Sequence, residues 1–274
     1  MFTFNCKGSL WILNQPIVMG IINTTPDSFF AGSRNASFSA AKESAFAMVD
    51  AGVGILDIGG QSTRPGSSFI DAETEKERVI PIISLLRQYF PQLLISIDTF
   101  HPAVAIAAVE AGASIVNDIS GGRFYSDMFS IVAALKVPYI CMHSSGTVET
   151  MHEKINYNDI SSELCDYFTE RIAACEAAGI NDIILDPGFG FGKTVPNNFT
   201  LLKEMVALKK FGKPILLGVS RKSTIYQTLQ ITAEESLNGT TVLNTLGLMN
   251  GADILRVHDV KEAVECIKLC RMAQ

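Results

Sequence analysis

Three polar residues stand directly after short runs of Ile, Val and Leu, where a buried strand would end. They are Asp98, Asn117 and Asp186. A carboxylate inside a protein persists only when it has a partner. A flat heterocycle with adjacent N–H donors, such as a 2-amino-4-oxo pyrimidine ring, would satisfy one of these carboxylates with two parallel hydrogen bonds. The alternative is that each residue caps the helix that follows, and it weakens because three such residues share one predicted rim.

Cationic residues form a second group toward the end of the chain. The segment Ser220-Arg221-Lys222-Ser223 follows one apolar run, and Arg256-Val257-His258 ends another. Arg64 lies in a long polar segment further upstream. Together these residues would give a chain of net charge −6 a local positive field for an anionic substrate. The alternative is that Arg221 and Lys222 are solvated surface residues and that His258 is an ordinary residue at a helix start.

A glycine-rich segment with two phenylalanines forms the third signal. It reads Asp-Pro-Gly-Phe-Gly-Phe-Gly-Lys over residues 186–193. Alternating glycines let the backbone approach a ligand closely, and the two Phe rings can flank a planar ring. The spacing matches neither the dinucleotide-binding pattern nor the P-loop pattern. The segment therefore fits the wall of a pocket better than a phosphate loop.

Eight apolar runs would carry these residues, and a helix-like stretch follows each run. The runs stop at Asn23, Asp57, Asp98, Asn117, His143, Asp186, Ser220 and Arg256. Four of the helix-like stretches end at a glycine that reads as a helix cap, namely Gly52, Gly112, Gly179 and Gly251. Helix-to-strand connections are therefore short, and several strand-to-helix connections are long. This asymmetry predicts a (β/α)8 TIM barrel of the α/β class with its site on one rim.

The apolar periodicity also gives approximate bounds for the elements. Strands are expected at residues 17–22, 55–58, 93–97, 114–116, 137–141, 182–185, 214–218 and 253–257. Residues 2–4 and 11–13 predict a short N-terminal β-hairpin that closes the bottom of the barrel. Long loops are expected at 23–37, 59–72 and 143–158, the first helix at 38–51 and a later one at 160–178. Thr232 and Glu235 form a possible capping box for the seventh helix. We expect one domain over residues 1–274.

Composition narrows the possible partners and the compartment. With 22 basic and 28 acidic residues among 274, the chain has no global attraction for nucleic acid or an anionic membrane. No apolar run approaches the roughly 18 residues of a membrane span, and residues 1–13 do not resemble a signal peptide. The six cysteines form no Cys-x-x-Cys pair. We therefore expect a cytoplasmic protein with reduced, structural thiols.

Eight segments of the chain together resemble the dihydropteroate synthase family. They are NTTPDSF at 23–29, DIGG at 57–60 followed by STRPG at 62–66, DT at 98–99, NDI at 117–119, MH at 142–143, the segment 186–193, SRKS at 220–223 and RVHDV at 256–260. They cover nearly the whole predicted barrel in the family's order. The resemblance implies condensation of 6-hydroxymethyl-7,8-dihydropterin diphosphate with 4-aminobenzoate to dihydropteroate and pyrophosphate, in folate biosynthesis. It also implies a transferase that sulfonamides target.

The resemblance assigns roles to individual residues. The pterin would be held by Asp98, Asn117, Asp186 and Lys222, with Met142 and Phe191 in the wall of its pocket. The diphosphate would be handled by Asn23, Arg64, Arg256 and His258, with Asn23 on Mg²⁺. The aminobenzoate would be bordered by Phe29, Thr63, Pro65 and Ser223. Asp27 would lie near the reacting carbon or accept the amine proton, so the residues expected in catalysis are Asp27, Arg64, Lys222, Arg256 and His258.

Some positions depart from the family pattern. Gln61 stands where the family usually has Glu, Ser144-Ser145-Gly146 follows Met142-His143, and the first loop lacks the usual Asp-Gly-Gly ending. We expect these departures to alter loop positions and inhibitor sensitivity more than the reaction. The resemblance also implies a homodimer through the helices of the last three repeats. The apolar stretch 242–249 is compatible with that interface, although a buried core explains it equally well.

Two other functions remain possible from the sequence. Methyl transfer from methyltetrahydrofolate to a corrinoid protein would use a similar pterin-binding barrel. It requires the carboxylate and amide residues but no diphosphate cluster, so Lys222, Arg256 and His258 favour the synthase. A non-catalytic pterin-binding barrel would bind its ligand without turnover.

Overall fold

An antiparallel hairpin precedes a ring of parallel strands in the computed structural model, which describes residues 1–24, 33–61, 69–147, 149–151, 153–155 and 157–273. The hairpin pairs β1 (Phe2–Cys6) with β2 (Ser9–Leu13). The parallel strands are β3 (Ile17–Asn23), β4 (Ile55–Gly59), β5 (Leu94–Asp98), β6 (Ile115–Asp118), β7 (Tyr139–Met142), β8 (Ile183–Asp186), β9 (Leu216–Leu217) and β10 (Ile254–Val257). Neighbours in the sheet follow the order β8-β7-β6-β5-β4-β3-β10-β9, and a bridge between Leu185 and Ile215 joins its two edges. The predicted TIM barrel with an N-terminal hairpin is confirmed.

Helices alternate with these strands and cover the outside of the sheet. Those described are α1 (Ser33–Asp50), α2 (Ala72–Tyr89), α3 (Pro102–Ala111), α4 (Met128–Leu135), α5 (Ile160–Ala178), α6 (Val195–Glu204), α7 (Ser223–Leu229), α8 (Leu237–Met249) and α9 (Val260–Ala273). Short 3-10 helices lie at Met205–Phe211 and Glu234–Ser236. The four predicted glycine caps are confirmed, because Gly52, Gly112, Gly179 and Gly251 have φ angles of 90°, 122°, 96° and 97°.

Strand bounds agree with the prediction to within two residues, but two helical regions differ from it. The first helix begins at Ser33 rather than at residue 38, because its polar start has no apolar periodicity to mark a first turn. The seventh repeat contains two helices instead of one, since Gln230 ends α7 with a φ of 56°. The capping box is present, with Thr232 N to Glu235 Oε2 at 2.9 Å, but it opens the 3-10 helix that precedes α8.

Alternate residues of each strand point into the barrel, which divides its interior into layers. One apolar layer lies near the amino ends of the strands. It contains Met19, Ile55, Ile115, Ile140, Ile184, Leu216 and Ile254, with Leu94 packed beside it. Residues one position further along, such as Leu56 and Leu255, belong instead to the core between sheet and helices. The next inward residue on each strand comes two positions later and therefore lies closer to the rim formed by the carboxyl ends of the strands.

The N-terminal hairpin seals the barrel beneath this apolar layer. Phe4, Cys6 and Leu13 pack against it and are nearly fully buried. The ring of Trp11 stacks on Phe4 with 4.5 Å between centroids, and Asn5 N donates to Asp182 Oδ2 at 2.7 Å. The hairpin thus closes the end opposite to the rim where the predicted site residues lie.

The cysteines and the helices bear on the predicted compartment. All six cysteines are free, and each except Cys165 is buried. In the part of the chain that is described, no helix has the length and apolar character needed to cross a membrane.

Candidate functional site

The strand layers bring the predicted polar residues to one mouth. The inward residues two positions beyond the apolar layer include Asp57, Asn117, Met142, Asp186, Gly218 and Arg256. Asn23 and Asp98 also follow the inward alternation and lie two residues further along β3 and β5. The parallel register aligns Asn23 with Gly59, Gly59 with Asp98, and Asp98 with Asn117. Polar residues from distant parts of the sequence therefore meet because each follows an apolar residue on the same face of its strand.

The guanidinium of Arg256 connects several strands across this mouth. Its Nε donates to Asp57 Oδ2 at 2.7 Å, and its Nη2 donates to Asp98 Oδ2 at 2.5 Å. Asn117 Nδ2 donates to the same Asp57 oxygen at 3.0 Å. Asp57 is fully buried, whereas the side chains of Asp98 and Arg256 keep 13% and 20% of their surface exposed. The network is therefore closed below and open toward the mouth.

Burial and charge act against each other in this network. Burial raises the pKa of Asp98, and the nearby Arg256 guanidinium opposes that rise. Burial alone would lower the pKa of Arg256, but Asp57 and Asp98 outweigh it, so that pKa lies above its usual value. The bonds at 2.5 and 2.7 Å are charge-assisted, which favours the ionised forms of both partners. Arg256 is thus held as a fixed cation at the mouth.

Asp186 and Lys222 form a second charged group beside Arg256. Asp186 is 7% exposed and accepts from Gly188 N at 2.8 Å. Burial raises its pKa, while Lys222 is the strongest influence in the opposite direction. Burial lowers the pKa of Lys222 to about 8, and Asp186 opposes that shift. A Cβ on Gly218 would lie 3.8 Å from both Lys222 Nζ and Arg256 Cβ, and the charge of Arg256 adds to the lowering of the Lys222 pKa, so the two side chains are neighbours.

Apolar side chains line one wall of the mouth. Met142 and Phe191 belong to a small cluster with Phe100, Ile119 and Met151, separate from the main core. The Phe191 ring faces Lys222 Nζ, 4.7 Å from its centroid. Met142 lies opposite Asp186 in the β7–β8 register. The predicted wall residues therefore stand beside the predicted carboxylate, as a flat heterocycle with a polar edge would require.

The loops after β9 and β10 contribute residues to the rim. His258 is exposed, and its Nδ1 lies 3.0 Å from Ser220 Oγ. Ser223 begins α7 directly after Lys222 and is partly buried. The Arg221 guanidinium is paired, because it forms two bonds to Asp259, at 2.9 and 2.8 Å. A carboxylate next to His258 therefore balances its charge, and its contribution to the positive field of the mouth stays a prediction.

Asn23 ends β3 on the exposed side of the mouth. A Cβ on Gly59 would lie 3.8 Å from Asn23 Oδ1 and 3.7 Å from Asp98 Oδ2, which brings these two oxygens into one region. Five predicted site residues lie outside the described residues, namely Asp27, Phe29, Thr63, Arg64 and Pro65. The alternative that Asp98, Asn117 and Asp186 cap the following helices is not supported, because the N-cap residues of α3, α4 and α6 are His101, Asp127 and Thr194.

The family described as Pterin binding enzyme matches residues 19–258. Dihydropteroate synthase of Escherichia coli K12 is 42% identical over 267 residues, 96% of this chain and 93% of that protein. The chain belongs to the dihydropteroate synthase family.

Two solved structures of family members superpose closely. The Xanthomonas albilineans dihydropteroate synthase with 4-aminobenzoic acid has a TM-score of 0.91 at 38% identity, covering 99% of this chain and 98% of that one. The Yersinia pestis dihydropteroate synthase in a sulfonamide drug complex has a TM-score of 0.92 at 36% identity, covering 99% of both chains.

Sequence reasoning overlooked two residues of this dihydropteroate synthase family site. Asp57 accepts a hydrogen bond from Arg256 but lies inside a strand, so the sequence pattern of residues 57–60 predicts no role for it. Alternation along Ile55, Asp57 and Gly59 was the signal that could have placed it inward. Lys193 ends the glycine-rich segment and is 3% exposed. A lysine near glycines reads as surface, and nothing in the sequence marked it as buried.

We predict that Arg256→Met destabilises the fold by about 3–5 kcal/mol, because it leaves buried carboxylates without their cation. Without the guanidinium the pKa of Asp98 rises further, so the folded state binds protons more tightly than the unfolded state. The difference in unfolding free energy between the parent chain and the variant should therefore shrink as the pH falls from 8 to 5.5. Urea unfolding of both proteins at both pH values measures this difference.

Lys76→Met is the matched control, because Lys76 pairs with the exposed Glu73 at 2.8 Å. It should cost less than about 1 kcal/mol at either pH. A cost for Arg256→Met as small as that of the control, or a deficit that grows on acidification, would contradict the buried network.

Proposed function

We propose that this chain condenses 6-hydroxymethyl-7,8-dihydropterin diphosphate with 4-aminobenzoate to give 7,8-dihydropteroate and pyrophosphate, in folate biosynthesis. This is the transferase reaction of the family to which the chain belongs. The observation that carries it is the meeting, at one mouth, of an acid and amide pocket with a cationic rim. We also propose that sulfonamides occupy the aminobenzoate site, as the drug complex of the Yersinia pestis relative suggests.

The polar edge of the pterin fits the carboxylate side of the mouth. The 2-amino-4-oxo pyrimidine presents adjacent N–H donors, which Asp186 can accept in parallel. Asn117 and Asp98 stand on β6 and β5, which are adjacent to each other, and both are partnered below by the Arg256 and Asp57 network. Lys222 would donate to the ring carbonyl from the other side, since its ammonium lies near Asp186. Met142 and Phe191 would cover the faces of the ring.

The diphosphate would lie over the cationic side. Arg256 keeps part of its surface exposed although two carboxylates fix its orientation. His258 is exposed on the same rim, next to Ser220. Both can stabilise the negative charge that grows on the leaving oxygens. Arg64 is expected to join them, and its role stays a prediction because it lies outside the described residues.

The reaction breaks the carbon–oxygen bond to the diphosphate, and both electrons leave with pyrophosphate. The pterin ring stabilises the cationic carbon, and the amine lone pair of 4-aminobenzoate forms the new carbon–nitrogen bond. The amine then loses one proton, for which Asp27 stays the predicted acceptor. The residues of the pterin pocket hold the electrophile in line for this attack. No strong base is needed, because the lone pair of the neutral amine attacks directly. Water would attack the same carbon, and a closed site limits that loss.

Mg²⁺ is the metal that we propose for this site. The donor set fits, because Mg²⁺ is usually held by a few protein oxygens together with substrate phosphates and water. Asn23 Oδ1 is an exposed amide oxygen beside the predicted diphosphate position. Among the described residues, no group of three or more His, Cys, Asp or Glu forms a preformed metal cage. When bound, the ion would neutralise charge on the diphosphate.

The two competing functions are less well supported. Methyl transfer to a corrinoid protein would need no cations for a diphosphate, yet Lys222 and Arg256 are neighbours within the mouth. A non-catalytic barrel would bind a pterin without turnover. Mixing the protein with pterin diphosphate, Mg²⁺ and 4-aminobenzoate distinguishes them, and dihydropteroate is then detected by mass spectrometry. Product above a no-enzyme control supports the proposal, and pterin binding without product contradicts it.

We predict that Asp186→Asn weakens binding of the pterin diphosphate at least about 100-fold, since a charge-assisted buried pair costs several kcal/mol when one partner is removed. Calorimetry measures the dissociation constant. Asp182→Asn is the matched control, because Asp182 directly precedes β8 at the other end of the barrel, where its Oδ2 accepts from Asn5 N of the hairpin at 2.7 Å. Normal pterin binding by Asp186→Asn would remove this residue from the pyrimidine edge.

A further prediction concerns the metal. Turnover should fall to background in excess chelator and return with Mg²⁺. Asn23→Ala should raise the Mg²⁺ concentration needed for half-maximal rate by about 10-fold or more, the order expected when a metal contact is lost. Asn250→Ala should not change it, because Asn250 Nδ2 donates to Leu202 O away from the mouth. Full rates without metal, or equal Mg²⁺ requirements for both variants, would count against this role.

We also propose a homodimer through α8 and α9. The apolar stretch 242–249 divides between two environments: Leu243 and Leu248 are buried, whereas Val242 and Leu246 are about half exposed. Leu269 on α9 is 71% exposed and lines a groove between the two helices together with Leu237 and Thr241 of α8. Exposed apolar residues one turn apart on neighbouring helices support a protein interface. The free thiols support a reducing compartment, and we propose the cytoplasm.

Sedimentation tests the dimer. Leu246→Glu should convert a dimer to a monomer, because it buries a charge in the apolar contact. Val206→Glu is the control, since Val206 is equally exposed on the 3-10 helix before β9. A parent chain that sediments as a monomer, or a Leu246→Glu variant that stays dimeric, would rule out this interface.

A further inference from the structure

A buried ammonium lies at the centre of the glycine-rich segment. Lys193 is 3% exposed, and its Nζ donates to Gly188 O at 2.8 Å, to Phe191 O at 3.1 Å and to His143 O at 3.5 Å. An ammonium has three N–H donors, so the three carbonyl oxygens match them. Lys193 is therefore bound by backbone on three sides rather than by a carboxylate.

The three carbonyl groups belong to the backbone that shapes the pterin pocket. Gly188 donates its N–H to the Asp186 carboxylate at 2.8 Å, and His143 donates its N–H to Asp186 O at 2.8 Å. Phe191 carries the ring that faces Lys222. The ammonium thus connects the strand end that bears Asp186 with the wall residue Phe191 and with the segment after β7. All three of these acceptors are backbone oxygens of the protein.

The turn is built closely around this cation. Gly188 has a φ of 67°, and a Cβ there would lie 1.9 Å from His143 O and 3.2 Å from Lys193 Nζ. Only glycine allows the backbone to approach so closely. Asn198 supports the outer side, accepting from Gly190 N at 2.7 Å and donating to Lys193 O at 3.3 Å. Burial lowers the pKa of Lys193 to about 7, and Asp186 opposes that shift.

We propose that Lys193 is a positioning residue, whose ammonium holds the 186–193 turn in the conformation that presents Asp186 and Phe191 to the pterin. This inference rests on the proposed function, because it concerns the same pterin subsite. A pocket that must be ordered at the moment of binding has a lower affinity than one already in place. Lys193 therefore acts on pterin affinity through the backbone, without touching the ligand.

The experiment compares Lys193→Met with Lys193→Arg and with a control. Lys209→Met is the control, because it removes a partly buried lysine away from the mouth, which pairs with Asp253 at 2.6 Å near the barrel bottom. Calorimetry with 6-hydroxymethyl-7,8-dihydropterin diphosphate gives the dissociation constant. Steady-state rates give KM for the pterin and kcat, and thermal unfolding gives Tm. Lys193→Gln, which retains two N–H donors, replaces the Met variant if that variant does not fold.

We expect Lys193→Met to raise the pterin dissociation constant and KM at least about 10-fold, with kcat at saturating pterin within about 3-fold of the parent; a 10-fold change corresponds to about 1.4 kcal/mol. Lys193→Arg should recover most of the affinity, because it keeps the cation and its donors. Lys209→Met should lower Tm and leave pterin binding unchanged.

The outcomes separate this inference from the proposed function. If the parent chain neither binds the pterin diphosphate nor forms product, the proposed function fails. If the parent binds and the folded Lys193→Met or Lys193→Gln variant binds within about 3-fold of it, the positioning role is overturned. A loss of Tm with unchanged affinity would make Lys193 merely structural and overturns the proposal too. A selective loss of affinity that arginine restores supports it.

Discussion

The guanidinium of Arg256, held between Asp57 and Asp98, is the interaction on which the mouth of the barrel depends. It lies on the last strand and binds carboxylates on two strands near the beginning of the barrel. Two acidic groups buried so close together would repel without it, and one of them would take up a proton. Because Asn117 donates to the same Asp57 oxygen, the amide is also oriented by this cation. Acceptors and cations thus coexist in one small site.

Strand periodicity explains why this chemistry sits at one end only. Inward positions near the amino ends of the strands are apolar and are sealed by the hairpin with Phe4 and Leu13. Inward positions two or four residues later are mostly polar, and Asn23, Asp98 and Arg256 among them reach solvent. The same eight strands therefore supply a dry core below and a functional surface above. A charged residue moved by one position along its strand would face the helices instead, where the core is apolar.

Much of this arrangement was predictable from the sequence, because strand ends in a parallel barrel must meet at one rim. Asp98, Asn117, Asp186 and Arg256 were placed correctly at one mouth by that rule alone. Asp57 was missed because it lies within its strand, where only the alternation of residues could reveal its direction. The pair Arg221 and Lys222 could not be separated, since only the folded chain shows that Arg221 bonds to Asp259 and that Lys222 lies over the Phe191 ring. The start of α1 and the break after α7 depend on backbone conformations that apolar periodicity does not encode.

The most direct test of the central interaction is a double-mutant cycle between Asp98 and Arg256, measured by urea unfolding at neutral pH. The cycle compares Asp98→Asn, Arg256→Met and the double variant with the parent chain. If Arg256 is held by this carboxylate, the double variant will lose about 1–3 kcal/mol less unfolding free energy than the two single variants lose together. Effects that add within about 0.5 kcal/mol would contradict the account, because the two charges would then act independently of each other.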